Sequence, residues 1–138
     1  MCARCDLPEL MQAQGLRPTP NRLAVYAALA EAREALSPPA LLQRLRTGRA
    51  MDKVTLYRTL DSLLEKALVT RHQAGDGSVR YCAATPCHPE HHHFYCTRCQ
   101  RLLCLDPQPM PLHPALPPGA DLAHIHIRLD GTCPQCRS

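Results

Sequence analysis

At 138 residues, with 45% hydrophobic residues and no apolar run long enough to span a bilayer, the chain has room for one domain or two small ones and is expected to be soluble and cytoplasmic. The opening MCARCDLPEL lacks the apolar stretch of a secretory signal, so the nine cysteines are expected to be reduced thiols or metal ligands rather than a disulfide framework. The formal charge of +4 is unevenly placed: residues 1 to 80 hold 12 Lys+Arg against 8 Asp+Glu, and residues 81 to 138 hold 4 against 4, which favours a polyanionic partner for the first part.

Cys2 and Cys5 form a Cys-x-x-Cys pair ahead of any periodic segment and receive no assigned role. Leu7, Leu10, Met11 and Gln14 then trace a short helix ended by Gly15. Thr19-Pro20 starts a second helix, with Thr19 as N-cap and Pro20 at the first helical position, where a missing N–H costs nothing. Ser37-Pro38 repeats the device ahead of Leu41, Leu42 and Leu45, and Gly48 closes that helix. Asp52 caps a fourth and longer helix, KVTLYRTLDSLLEKAL, whose apolar stripe is Leu56, Leu60, Leu63, Leu64 and Ala67. Thr55, Arg58 and Ser62 face away from the stripe, with Tyr57 at its border. An exposed Tyr57-Arg58 pair can read base edges, or Tyr57 can pack at the domain edge beside a solvated Arg58; helix geometry alone leaves both open.

Two short strands, 69–73 and 78–82, joined by Gly75-Asp76-Gly77, read as a hairpin. Short helices followed by a hairpin give the winged helix-turn-helix plan, in which the Asp52 helix lies in the major groove and the hairpin is the wing. The expected division is a winged-helix DNA-binding domain over 1–82, a linker over 83–89 containing Pro86 and Pro89, and a small metal-binding second part over 90–138, the parts that the resemblance given below implies to be joined by a hinge and to include the dimerisation domain.

All eight histidines lie from His72 onward. The stretch HHHFYCTRCQRLLC, from His91 to Cys104, is followed at the end of the chain by GTCPQC. Two Cys-x-x-Cys turns, Cys96 with Cys99 and Cys133 with Cys136, supply the four soft ligands of a closed tetrahedral zinc site, the staple that so small a second part needs. Strands are expected over 91–95 and 101–105, and over 124–129, where Ile125, Ile127 and Leu129 alternate with His124, His126 and Arg128. The proline-dense segment between them excludes a regular helix, except near Leu112 to Leu116. His72 and Cys82 fall on the same side of the hairpin as diagonal neighbours, while His91 and His93 share one face of their strand and His92 points to the other.

GLRPTPNRLAVYAAL, DKVTLYRTLDSLLEKALV, the His-rich strand into CTRC, and GTCPQC occur in the order found in the ferric uptake regulator family of bacterial metal-sensing repressors, which the chain resembles over nearly its whole length. The resemblance implies an α+β protein, an N-terminal winged helix joined to a small α/β dimerisation domain stapled by a four-cysteine zinc, acting as a homodimer on a palindromic double-stranded DNA operator. It implies base contacts by Tyr57 and Arg58 beside Thr55, and minor-groove contact by Arg17. It also implies a regulatory metal at the hinge, for which His72, Cys82, His91, His93 and Cys104 are the candidates. Cys104 stands where relatives carry a glutamate, and thiolate in place of carboxylate suits Zn2+ better than iron(II). EAREALSPPA also lacks the histidines of iron sensors ahead of the third helix. The expectation is therefore a zinc-responsive repressor of metal-uptake genes, of the zinc-uptake-regulator branch, without enzymatic activity.

A third metal site could draw on Glu90 and His92 with His124 or His126, although Pro111 stands where that site has a carboxylate; Cys87, His88 and His113 read as bystanders. Rival readings are an iron or peroxide sensor of the same family, a thiol oxidoreductase, which would need a Cys-x-x-Cys opening a helix in a βαβ unit, and a zinc-storage protein, which the TLYRTL segment argues against.

Overall fold

The computed structural model describes residues 6–45, 51–84, 91–106 and 113–137. Cys2, Cys5, Gly48, Cys87, His88, Glu90 and Pro111 lie outside them. In chain order the first part holds α1 (Leu7–Ala13), α2 (Pro20–Glu31), α3 (Pro38–Leu45) and α4 (Lys53–Glu65), followed by a hairpin of β2 (Val69–Gln73) and β3 (Val79–Ala83), with a two-residue strand β1 (Glu34–Ala35) between α2 and α3. β4 (His93–Cys96), β5 (Leu102–Cys104), β6 (Arg128–Gly131) and α5 (Pro134–Arg137) make up the second part.

Local chemistry sets the helix ends. Asp6, Thr19, Ser37 and Asp52 each accept a hydrogen bond from the backbone N–H three residues on, at 3.1, 3.3, 3.3 and 2.7 Å. α1 ends in a left-handed Gly15 (φ 73), where the N–H of Leu16 reaches the carbonyl of Met11 and the two buried side chains meet. α4 ends the same way one turn earlier than its periodicity predicts. Ala67 takes the left-handed position (φ 56), its N–H bonding Leu64 and that of Leu68 bonding Leu63. Ala67 is therefore exposed beyond the helix and is not part of the apolar stripe, whose buried members are Leu56, Leu60 and Leu63. Ser62 is also not an outward residue: Arg22 Nε donates to its Oγ at 3.2 Å, which ties α4 to α2.

The main core gathers Met11, Val25, Tyr26, Leu41, Leu56, Leu60, Leu63, Leu68 and Tyr81 from the helices and the hairpin. Hairpin pairing is antiparallel with Thr70 opposite Cys82 and His72 opposite Arg80, so His72 and Cys82 share a face. The result is a winged helix, and the second part adds a sheet in the order β1-β5-β4-β6.

β1 is the element that sequence patterning missed, because two residues carry no alternation. It pairs Glu34 with Leu103 and Ala35 with Leu102, while Leu36 exchanges backbone hydrogen bonds of 3.0 and 2.9 Å with Tyr81 on the wing. One short connection from the first part thus borders both sheets. Around it, the Glu34 carboxylate receives Arg101 at 2.6 Å and Arg44 at 3.3 Å, and Arg128 donates to the Gln73 carbonyl at 3.2 Å. At the hairpin turn Gly75 lies flat on Tyr95, where any Cβ would run into the ring. A small second core of Ala35, Ala74, Cys82, Tyr95 and Leu102, with Cys104 packed against it, fills the seam.

The strand expected over 124–129 forms only from Arg128. β6 runs parallel to β4 and pairs Arg128 with His93, the first residue of that strand; ahead of it the Ile127 N–H bonds the His92 ring at 3.1 Å instead of a ladder carbonyl. Residues 113–116 form no helix, and the chain turns at Pro117–Ala120 on a left-handed Gly119 (φ 81).

Candidate metal centres and nucleic-acid face

β4 ends on Cys96, and a turn closed by the left-handed Gln100 (φ 64) returns Cys99 beside it. The chain end brings Cys133 and Cys136 against the same turn, held by the 2.8 Å hydrogen bond from Thr97 N–H to Gly131. The four sulfurs lie within 4.8 Å of one another, with Cys99 and Cys133 3.8 Å apart. Zinc bonds of about 2.3 Å at the tetrahedral angle put two ligand sulfurs about 3.8 Å apart, so the donor set fits that ion. The N–H groups of Cys133 and Cys99 point at the Cys96 sulfur from 3.3 and 3.5 Å and hold its thiol down to about 6, so it is ready to bind as thiolate. Cys136, hydrogen-bonded to Cys133, is pushed up to about 12 and would have to release a proton on binding. All six described cysteines are free thiols.

A second cluster forms across the seam. Cys82 comes from β3, His93 from β4 and Cys104 from β5, directly opposite His93 in the ladder; His91, two residues before His93, lies on the same side. Donor atoms of Cys82, His91, His93 and Cys104 lie within 4.8 Å of one another. Cys82 Sγ is 3.7 Å from Cys104 Sγ and 3.3 Å from His93 Nε2, spacings suited to a tetrahedral ion with bonds of about 2.3 Å to sulfur and about 2.0 Å to nitrogen. His93 is completely buried. Cys82 and the two histidines hydrogen-bond Cys104 and hold its thiol well below the usual range, while that same bond and burial push Cys82 up, so Cys104 is the more acidic of the two.

His72, placed in this set by sequence reasoning, turns its ring to other partners, with centroids 4.3 Å from His93 and 4.6 Å from His126. Its donor atom lies within 4.8 Å of those of His93 and His126, and burial, reinforced by His93, His126 and His91, holds it down to about 3, a neutral imidazole. Of the third site that the sequence left to Glu90 and His92 with His124 or His126, the described residues place the His126 ring 6.2 Å from that of His92, whose Nδ1 accepts from the Ile127 N–H. His113 and His124 are exposed and join neither cluster.

The nucleic-acid candidates stay on the surface. Arg17 is exposed ahead of α2, its carbonyl accepting from Arg22 at 3.0 Å. Tyr57 and Arg58 project from α4, Tyr57 being 38% exposed with Lys53 Nζ 5.9 Å over its ring. Thr55 is half-buried, its N–H held by Asp52. Sequence reasoning passed over Val54, 61% exposed on the same helix face as Tyr57 and Arg58; a lone apolar residue in the first turn was its only signal.

A sequence model of the ferric uptake regulator family matches residues 13–108. No curated protein sequence matches significantly. Among solved structures, the Vibrio cholerae ferric uptake regulator superposes with a TM-score of 0.71 at 20% identity, covering 93% of this chain and 100% of that one. A zinc-bound manganese uptake regulator gives 0.67 at 19% identity, covering 91% and 96%, and holo XcZur gives 0.56 at 21%, covering 95% and 94%. The fold is thus common to proteins named for different metals.

Proposed function

Because the chain belongs to the ferric uptake regulator family of metal-responsive DNA-binding regulators, we propose that it is a zinc-responsive repressor controlling metal-uptake genes. The observation that carries this reading is the set Cys82, His91, His93 and Cys104, which joins the wing of the DNA-binding part to the sheet of the second part. Two sulfurs and two imidazoles with no carboxylate among them favour Zn2+ over iron(II) or manganese(II). Bound there, the ion supplies a cross-link between β3 and the β4–β5 ladder. Cys82 holds the wing, His93 and Cys104 hold the second sheet, and β1 with Glu34 and Arg101 already draws the two together. Metal that favours this arrangement over a splayed one strengthens binding to an operator that prefers it, by at most the metal's own differential affinity, and the operator strengthens metal binding by the same factor in return. The four-cysteine cluster of Cys96, Cys99, Cys133 and Cys136 holds the structural zinc.

The proposed DNA face is Arg17, Thr55, Tyr57 and Arg58 on the winged helix of 1–82. The proposed dimerisation domain is 90–138, where Leu129 on the edge strand β6 and Leu116, Leu122 and Ile125 ahead of it in the chain are exposed apolar residues available to a second copy of the chain. Two-fold symmetry would match a palindromic operator. No helix among the described residues is long and apolar enough to cross a membrane, as suits a regulator that works on DNA in the cytoplasm.

The test is zinc content per protomer together with operator binding, in the wild type and in Cys104→Ala. The expected outcome is that the variant keeps one tightly held zinc but no longer gains operator affinity when zinc is added. A variant that responds like the wild type overturns the assignment of Cys104, and a wild type answering iron(II) but not zinc overturns the choice of metal.

A further inference from the structure

His93 presents its two ring nitrogens to two different groups of donors. Nε2 faces Cys82 at 3.3 Å, inside the mixed thiolate set, while Nδ1 lies 3.1 Å from His126 Nε2 on the opposite side. His72 completes the second group, its ring stacked on that of His126 at 21° between planes, and donor atoms of His72, His93 and His126 lie within 4.8 Å of one another. Nitrogens of two imidazoles bound tetrahedrally at about 2.0 Å stand about 3.3 Å apart, close to the spacing already present between His93 and His126.

Access and chemistry agree with this geometry. A groove of about 520 Å³ between β2 and the segment ahead of β6 is lined by Thr70, Arg71, His72, Gln73, His124, His126 and Arg128. His126 is exposed at its mouth, His72 is half-buried and His93 is fully buried, so an ion could enter from solvent onto His126 without passing the thiolates. Among the described residues no carboxylate lines the groove, and three imidazoles form a nitrogen-only donor set, which suits a borderline divalent ion such as Zn2+ or Co2+ rather than Mg2+ or Ca2+.

We infer that His72, His93 and His126 form a further divalent-metal site, made of imidazoles alone, which shares His93 with the mixed thiolate set. The shared ring makes it the weaker of the two, because a neutral imidazole offers one lone pair and serves both ions only when its remaining proton is displaced. The site fills when the metal concentration exceeds what the thiolate set needs, which gives the chain a second, higher threshold.

The experiment titrates Co2+ into full-length protein already loaded with zinc at its thiolate sites, followed by absorption spectroscopy and by metal content after gel filtration. One additional equivalent is expected, with the weak visible bands of nitrogen-coordinated cobalt and no sulfur-to-cobalt charge transfer. It should be lost in His126→Ala and in His72→Ala and kept in His124→Ala, which lines the same groove outside the cluster. His126 is exposed in an irregular segment, so its removal leaves both cores untouched.

Absence of the extra equivalent in the wild type, or its retention in both His126→Ala and His72→Ala, overturns the inference and leaves His126 as a hydrogen-bond partner that orients His93. The mixed-site reading is scored separately by cobalt added to metal-free protein. Sulfur-to-cobalt charge transfer weakened by Cys104→Ala upholds it whatever the fate of the imidazole site, and charge transfer unaltered by Cys104→Ala counts against it alone.

Discussion

The two cysteine-containing clusters differ in how the chain builds them. Cys96, Cys99, Cys133 and Cys136 come from two tight turns, each carrying its ligand pair within four residues, and both turns belong to the second part. Cys82, His93 and Cys104 come from strands of two different sheets, with His91 just ahead of β4, brought together by the seam that β1 closes. The first can be complete whatever the first part does; the second exists only when wing and second sheet are in contact. Metal at a local cluster contributes folding energy, whereas metal at a cluster spanning a seam reports and biases an arrangement.

The strongest way to break that comparison is to remove a ligand from each. Cys133→Ser, or chelation of the four-cysteine ion, should unfold the β4–β6 sheet, because binding free energy at structural zinc sites is on the order of 10 kcal/mol and is folding energy. Loss of β-sheet circular dichroism and of cooperative melting would be the readout. Cys104→Ser should leave the zinc-free chain folded and abolish only the gain from added zinc, about 2.7 kcal/mol of stabilisation at a hundredfold excess over Kd, read as a missing Tm increment. Equal losses in both variants would dissolve the distinction.

Arg58→Ala tests whether the DNA face is separate from either cluster. Operator binding should weaken by about 1–3 kcal/mol with and without zinc, while zinc content stays unchanged.

The seam also sets a pH dependence. Burial, then the neighbouring imidazoles, hold His72 down to about 3 in the folded chain, against 6.5 as its ordinary value. The unfolded state therefore binds the proton first: the stability due to neutral His72 is full above pH 6.5 and is lost as pH falls through the window from 6.5 towards about 3. Denaturant titrations of zinc-free protein should show that decline, with a shallower slope in His72→Gln.

The smallest expected effect lies far from both clusters. Ala67→Gly should raise stability by up to about 1 kcal/mol, because the left-handed residue that ends α4 carries a Cβ at φ 56. A loss of stability would mean that the entropy of the unfolded chain outweighs the relieved strain.

Much of this molecule is written in short-range chemistry and is legible in the sequence. Capping oxygens at Thr19, Ser37 and Asp52, the apolar spacing of Leu56, Leu60 and Leu63, the hairpin around Gly75-Asp76-Gly77 and the paired Cys-x-x-Cys turns depend on residues a few positions apart. Three features depended on long-range packing instead. Two-residue β1 has no pattern of its own and exists because β5 and Tyr81 offer it partners. His72 shares a hairpin face with Cys82, yet which histidines its ring meets was settled by how the segment ahead of β6 crosses the wing. His126 has the alternation of a strand residue, but the parallel ladder starts two residues later, and the irregular backbone there delivers its ring to His93. Ligands that a turn holds together are legible in one dimension; ligands that meet across a seam are decided by the packing of the parts that carry them.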